Sequence, residues 1–293
     1  MRTEDVSPRY EDIDAWSSLD AVHAMFEGQL SAVAAVRETL PAIVKAAEAA
    51  ALRLAEDGRI VYCGAGTSGR IGVQDGVELS PTFGWPEDRV ALAIAGGERA
   101  LSASAEGAED DGEAAKLALS QLAIGSHDVA IGLSASGATP YTVEFLRGAR
   151  DRGALTIGVA NNPGSSLIKL AERPICVATG AEVLAGSTRM KAGVAQKVVL
   201  NLLSTLTMMR LGRVYRGMMV DMRARNDKLA RRAAHIIGRL APCDEETARQ
   251  AFETAGEVKL AVLLARGFDL NAAKVLIRQS GGRLSLALAE DKR

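Results

Sequence analysis

The stretch Arg59-Ile-Val-Tyr-Cys-Gly-Ala-Gly-Thr-Ser-Gly-Arg70 runs a short apolar segment into three glycines and two hydroxyls. Gly64, Gly66 and Gly69 let the backbone turn tightly and approach a ligand closely. Thr67 and Ser68, with the N–H groups that open the next helix, make an anion site. The expected ligand therefore carries a phosphate, and the Gly-x-Gly-x-x-Gly spacing also suits a dinucleotide. A second loop, Leu133-Ser-Ala-Ser-Gly-Ala-Thr-Pro140, offers Ser134, Ser136, Gly137 and Thr139 just before another helical segment. Either loop alone is also what an N-cap and a turn require. Two hydroxyl-rich strand-to-helix loops can converge on one anion. A third group, Ser187, Thr188, Arg189 and Lys191, places hydroxyls and cations near the start of the apolar helix 192–211.

The elements that must position these loops follow from periodicity. Residues 18–57 are rich in Ala and Leu at helical spacing (Leu19, Val22, Phe26, Leu30, Val33, Val36, Leu40), and Pro41 splits or kinks them. From Arg59, short apolar runs alternate with helical stretches. The expected strands are Ile60–Cys63, Val90–Ala95, Val129–Leu133, Leu155–Ala160 and Ile175–Ala178, with helices over Arg99–Leu122 and Pro140–Arg152 between them. This alternation implies an α/β fold, a parallel sheet covered on both faces, with ligands at the carboxyl ends of its strands. Asn161-Asn-Pro-Gly-Ser165 reads as turn chemistry. Beyond Arg223 the chain is helical, with breaks at Pro242, Gly267 and Gly281-Gly282. The expected organisation is an N-terminal helical segment 1–57, a phosphate-binding domain 58–222 and a C-terminal helical subdomain 223–293.

Bulk properties narrow the function. The 293 residues suffice for a substantial core. A net charge of −1 and 4% aromatics give no footprint for nucleic acid or an anionic membrane. The basic cluster Lys228, Arg231, Arg232 reads as a solvated helix face. No run approaches the roughly 18 apolar residues of a membrane span, and the start has no secretory character. Cys63, Cys176 and Cys243 are odd in number and far apart, as suits a reducing, cytoplasmic setting. His23, His127 and His235 do not cluster, so neither a metal site nor a histidine-based triad is expected. A dinucleotide site would want an acidic strand end after the glycines, whereas Val90–Ala95 runs into Gly96-Gly97.

The sheet texture and the loops Gly66-Thr-Ser-Gly69 and Ser134-Ala-Ser-Gly-Ala-Thr139 resemble the sugar isomerase (SIS) domains, which bind phosphosugars on a flavodoxin-like five-stranded parallel sheet. Further segments are similar to the N-acetylmuramic acid 6-phosphate etherase family. They are Gly64–Arg70, Asp75-Gly-Val-Glu-Leu-Ser-Pro-Thr82, Ala95-Gly-Gly-Glu98 and Glu106-Gly-Ala-Glu-Asp110, then Asn162-Pro-Gly-Ser165, Gly180-Ala-Glu-Val183 and Ser187-Thr-Arg-Met-Lys-Ala-Gly193. Ala195-Gln-Lys197 and Val220-Asp-Met-Arg-Ala-Arg-Asn226 complete the series, with Thr3-Glu4, Pro8-Arg9 and Asp12-Ile-Asp14 at the start. The departures fall in three segments, and Ser80 stands where the family's usual Asp-Ala-Ser-Glu-x-Pro-Pro-Thr has proline. Asp75-Gly-Val-Glu replaces the usual Asp-Ala-Ser-Glu, removing a serine before Glu78. Thr188 stands for Ser, and Val194 for Thr.

The resemblance implies cleavage of the D-lactyl ether at C3 of a phosphorylated amino sugar by a carbon–oxygen lyase. An aldehyde at C1 of the open-chain sugar acidifies the C2 proton. A base removes it, an acid protonates the departing lactyl oxygen, and water adds at C3. No cofactor takes part. Paired carboxylates suit such acid–base work near operating pH. The resemblance points to Glu78 as the acid and Glu109 as the base, although Glu109 lies in an acidic run, 106–113, that by itself reads as a solvated face. It implies phosphate and sugar contacts from Gly66, Thr67, Ser68, Ser134, Ser136, Gly137, Thr139, Ser187 and Lys191. It also implies a homodimer with the site near the subunit interface, and a place in cell-wall sugar recycling. A non-catalytic phosphosugar-binding regulator, similar to the glucokinase regulatory protein, would use the same loops without the carboxylate pair. An aldose–ketose isomerase would share only the C2 proton abstraction.

Overall fold

The computed structural model describes residues 2–222 and 227–290. The tail of the motif Val220–Asn226, residues 223–226, lies outside them. The chain forms two compact units. One comprises residues 1–76 and 88–207, the other residues 77–87 and 208–293.

The first unit opens with α1 (Ser18–Val36) and α2 (Leu40–Leu54). The Ser17 hydroxyl caps α1 by accepting from the Asp20 N–H at 3.2 Å. Pro41 sits in the first turn of α2, where its missing N–H costs nothing, so the proline starts a helix rather than breaking one. Ala24, Gly28, Ala32 and Val36 bury one face of α1.

Five parallel strands follow: β1 (Ile60–Gly64), β2 (Val90–Ile94), β3 (Val129–Ser134), β4 (Leu155–Ala160) and β5 (Arg173–Cys176), in the order β2-β1-β3-β4-β5. Their connections carry α3 (Gly66–Phe83), α4 (Arg99–Ser102), α5 (Gly112–Gln121), α6 (Pro140–Asp151) and α7 (Ser166–Leu170). Side chains alternate across each strand. Val61, Cys63 and Ala130 pack with Leu119, Phe145 and Leu146 of α5 and α6. Ile60, Tyr62, Val129 and Ile131 meet Leu54 of α2 and Leu200 and Leu203 of α8 (Lys191–Arg210). Burial on both faces explains the unbroken apolar runs. The strand order reverses direction between β1 and β3, and sheets of this kind bind ligands outside the carboxyl ends of the strands at such a point.

Three expectations are corrected. The segment Arg99–Leu122 is not one helix. It holds only α4, a 3-10 turn at Ala108–Asp110, and α5. Gly107, at φ 70°, breaks the run, and Asp111 starts α5 by capping the Ala114 N–H. The fifth strand begins two residues earlier than its apolar run, at Arg173, and Pro174 is accommodated because β5 is a sheet edge. Finally, α8 is long and apolar enough to cross a membrane by length and composition, but 56% of that window is buried inside the protein.

The second unit combines the end of α3 with a short hairpin, β6 (Val214–Tyr215) and β7 (Met218–Met219), and five helices. These are α9 (Asp227–Leu240), α10 (Glu245–Ala255), α11 (Val258–Leu264), α12 (Leu270–Gln279) and α13 (Leu284–Glu290). Its core gathers Val220, Met222, Ile237, Leu240, Val262 and Leu284. The Lys259 ammonium is buried and donates to Asp221 and to the Gly282 carbonyl, both at 2.6 Å. Arg213 lies over Trp85 at 4.9 Å. Lys228, Arg231 and Arg232 are all exposed on α9, as a solvated helix face requires.

Candidate active site

The first loop is built by close approach. A β-carbon on Gly64 would come within 2.9 Å of the Gly69 backbone, so only glycine lets α3 start this near β1. Gly66 has φ 52° and opens α3. Ser68 is buried at the helix start, and Thr67 packs towards Gly193 in the first turn of α8.

The second loop folds on its own hydroxyls. Ser134 Oγ lies 2.8 Å from Thr139 Oγ1 and 3.2 Å from Ser136 Oγ, and it accepts from the Gly137 N–H at 3.0 Å. Ser136 Oγ accepts from the Ala138 N–H. Thr139 stands at the N-cap position of α6 without capping it, leaving its hydroxyl turned into the cluster. Gly137 has φ 67°, and a β-carbon there would strike Ser165 Oγ. The Ser165 hydroxyl is buried with no hydrogen-bond partner among the described residues. Because β1 and β3 are neighbours in register, Gly64 beside Leu133, the two loops leave the sheet side by side.

The third loop supplies its own anion. Glu182 is buried and accepts from the Lys191 and Ala192 N–H groups at 2.8 and 2.9 Å, capping α8. Lys191 Nζ donates to the Ala181 carbonyl at 2.8 Å. Burial pulls the Lys191 ammonium down from its ordinary pKa, and the Glu182 charge opposes that pull. Ser187 is half-buried in the turn just before.

A cavity of about 410 Å³ opens beside the first loop, lined by Gly66, Thr67, Arg70, Glu106 and Glu109 among others. The structure thus brings Glu109, exposed on its 3-10 turn, to the same cavity as part of the first glycine loop. Glu78 is not among the lining residues. It is exposed on α3 and falls within the second unit.

Comparison with known proteins adds what geometry alone does not. Residues 42–149 match the family described as the glucokinase regulatory protein N-terminal SIS domain, and residues 110–206 match the SIS domain. A crystal structure from Listeria monocytogenes, of a candidate sugar-phosphate isomerase, shares the fold with TM-score 0.50 and 20% identity over 65% of this chain and 89% of that one. Proteins named N-acetylmuramic acid 6-phosphate etherase are far more similar. That of Deinococcus radiodurans is 44% identical over 99% of this chain and 95% of its own length. That of Streptomyces coelicolor is 46% identical over 99% and 94%. The chain belongs to the N-acetylmuramic acid 6-phosphate etherase family.

Within this etherase-family chain, sequence reasoning missed residues that hold the loops rather than line them. The Asn162 amide donates to the Ala135 carbonyl at 3.0 Å and to Thr3 Oγ1 at 2.9 Å, and accepts from the Thr3 N–H at 3.4 Å. What reads as turn chemistry is therefore a bridge between the second loop and the chain's start. Gln196 donates to Asn161 Oδ1, and Asn161 to the Val177 carbonyl, tying α8 to the ends of β4 and β5. Asn162 and Gln196 both sit in segments that resemble the family, and that was the only signal available.

Proposed function

We propose that the protein is an N-acetylmuramic acid 6-phosphate etherase, a carbon–oxygen lyase that converts its substrate to N-acetylglucosamine 6-phosphate and D-lactate. The observation that carries this reading is 40–46% identity to proteins of that name over nearly the whole chain. The cavity shared by Glu109 and the glycine loop supports it.

In this reading Ser68, Ser134, Ser136 and Thr139, with Gly66, Thr67, Gly137 and Ser187, grip the 6-phosphate and the sugar, and Lys191 adds positive charge. Phosphate binding then holds C2 and C3 of the open-chain sugar in place. Glu109 removes the C2 proton, whose acidity the C1 aldehyde supplies. Glu78 protonates the lactyl oxygen as the C3–O bond breaks. Water adds to C3 of the resulting unsaturated aldehyde, and a proton returns to C2, so atoms balance without oxidation or reduction. The enzyme works as a homodimer with the site near the subunit interface, in the cytoplasm, in recycling of cell-wall sugar. An exposed apolar stripe on α1, Leu19, Val22, Phe26, Leu30 and Val33, supports the dimer, because its spacing puts all five on one face.

The test is D-lactate release from N-acetylmuramic acid 6-phosphate in heavy-oxygen water, with wild type beside Glu78→Ala and Glu109→Ala. Lactate from wild type alone, with the label at C3, is the expected result. Saturable phosphosugar binding without lactate would leave the regulatory reading instead.

A further inference from the structure

We infer that Arg70 is a positioning residue for Glu109, a role that rests on the etherase reading above. The segment 96–111, which carries Glu109, has little regular structure to hold it. It contains one short helix, α4, and one 3-10 turn. Gly96, Gly97 and Gly107 all have positive φ, so the backbone reverses repeatedly. Ala100, Ala105 and Ala108 close on Gly96, where an added β-carbon would lie 2.5 Å from the Ala105 methyl. Small methyl contacts of this kind leave the segment weakly fixed.

Arg70 reaches it from the first turns of α3. Its Nε donates to the Ala100 carbonyl and its Nη2 to the Ala103 carbonyl, both at 2.9 Å. These carbonyls belong to the C-terminal end of α4, where helical acceptors lack intrahelical partners. The planar guanidinium spans both at once, which a lysine ammonium does not reproduce in geometry. Arg70 also lines the cavity it shares with Thr67, Glu106 and Glu109, and is the one cation among the described lining residues. The side chain therefore joins the phosphate-loop helix to the segment bearing the base. Its two hydrogen bonds set where Glu109 stands relative to a sugar gripped at the helix start.

The experiment compares wild type, Arg70→Met and Arg70→Lys. Amide hydrogen exchange over residues 98–110 reads the hold directly. Binding of N-acetylglucosamine 6-phosphate by calorimetry reads the phosphate grip, and steady-state kinetics separate kcat from KM. In Arg70→Met, exchange over 98–110 accelerates at least tenfold, kcat falls about 100-fold as expected for a misplaced catalytic group, and phosphosugar affinity stays within threefold. Arg70→Lys, which keeps the charge and one donor, recovers part of kcat. Unchanged exchange over 98–110 would overturn the inference whatever the activity does. A tenfold loss of affinity with kcat retained would also overturn it and make Arg70 a phosphate ligand. If wild type itself releases no lactate, the etherase reading fails, and the exchange measurement still decides whether Arg70 holds the segment.

Discussion

At the scale of the residue, the site depends on hydroxyls whose partners are other hydroxyls. Ser134 is the centre of the second loop, bonded to Ser136, Thr139 and the Gly137 N–H. Replacing it with alanine removes a group that would bind phosphate and also loosens its neighbours. Ser134→Ala is expected to weaken binding of N-acetylglucosamine 6-phosphate about 10- to 100-fold, as losing a hydrogen bond to a charged group does. Calorimetry checks it, and unchanged affinity would place the phosphate elsewhere. Asp128 shows the same economy in the scaffold. Burial pushes its carboxyl up, but the Arg59 side chain, the N–H groups of Gly125 and Arg59, and the guanidinium charge together hold it below the ordinary value of 3.8. Its folded form thus favours the carboxylate. The stability this adds is fully present above the unfolded pKa and is lost as pH falls through the lower folded value. Asp128→Asn should therefore lower the melting temperature at pH 7 and flatten its decline below about pH 4. A parallel decline in both proteins would rule out this role.

At the scale of the element, α1 carries two faces. Small residues bury one, and five large apolar residues leave the other exposed. If a second copy of the chain covers that stripe, Phe26→Glu should yield a monomer in sedimentation and lose most lactate release. A persistent dimer would put the interface on another surface. The first four strands and both hydroxyl loops were legible in the sequence, because strands covered on two faces read as short apolar runs, whereas β5, an edge strand holding Arg173 and Pro174, was placed two residues late. Pro41 was legible only as an interruption. Whether it ends or starts a helix depends on which side supplies the first turn. The segment of Glu109 was misread because its alanines favour helix, while Gly107 and the packing against Gly96 decide otherwise. Which side chain reaches which distant backbone group, such as Arg70 and the Ala103 carbonyl, has no periodic signature at all.

At the scale of the whole molecule, two units are interleaved along one chain, since residues 77–87 cluster with the C-terminal helices rather than with the sheet. Inside the second unit the Lys259–Asp221 pair is a sensitive point. Burial lowers the Lys259 pKa, and the Asp221 charge and hydrogen bond work against it. Asp221→Ala leaves an ammonium buried beside Arg213 without its counter-ion. It should cost about 3–5 kcal/mol by denaturant titration, whereas Lys259→Met, which removes the charge itself, should cost much less. Equal losses would show that packing, not charge, sets the cost. In the first unit, the amide of Asn162 joins Thr3 to Ala135, and Thr3 in turn accepts from the Gly186 N–H. Positions scattered over most of the sequence thus share one side chain. Trimming a few residues from the start would strand an amide donor beneath the second loop. A sequence that varies at position 3 is thereby constrained at position 162, so the two should be inherited as a pair.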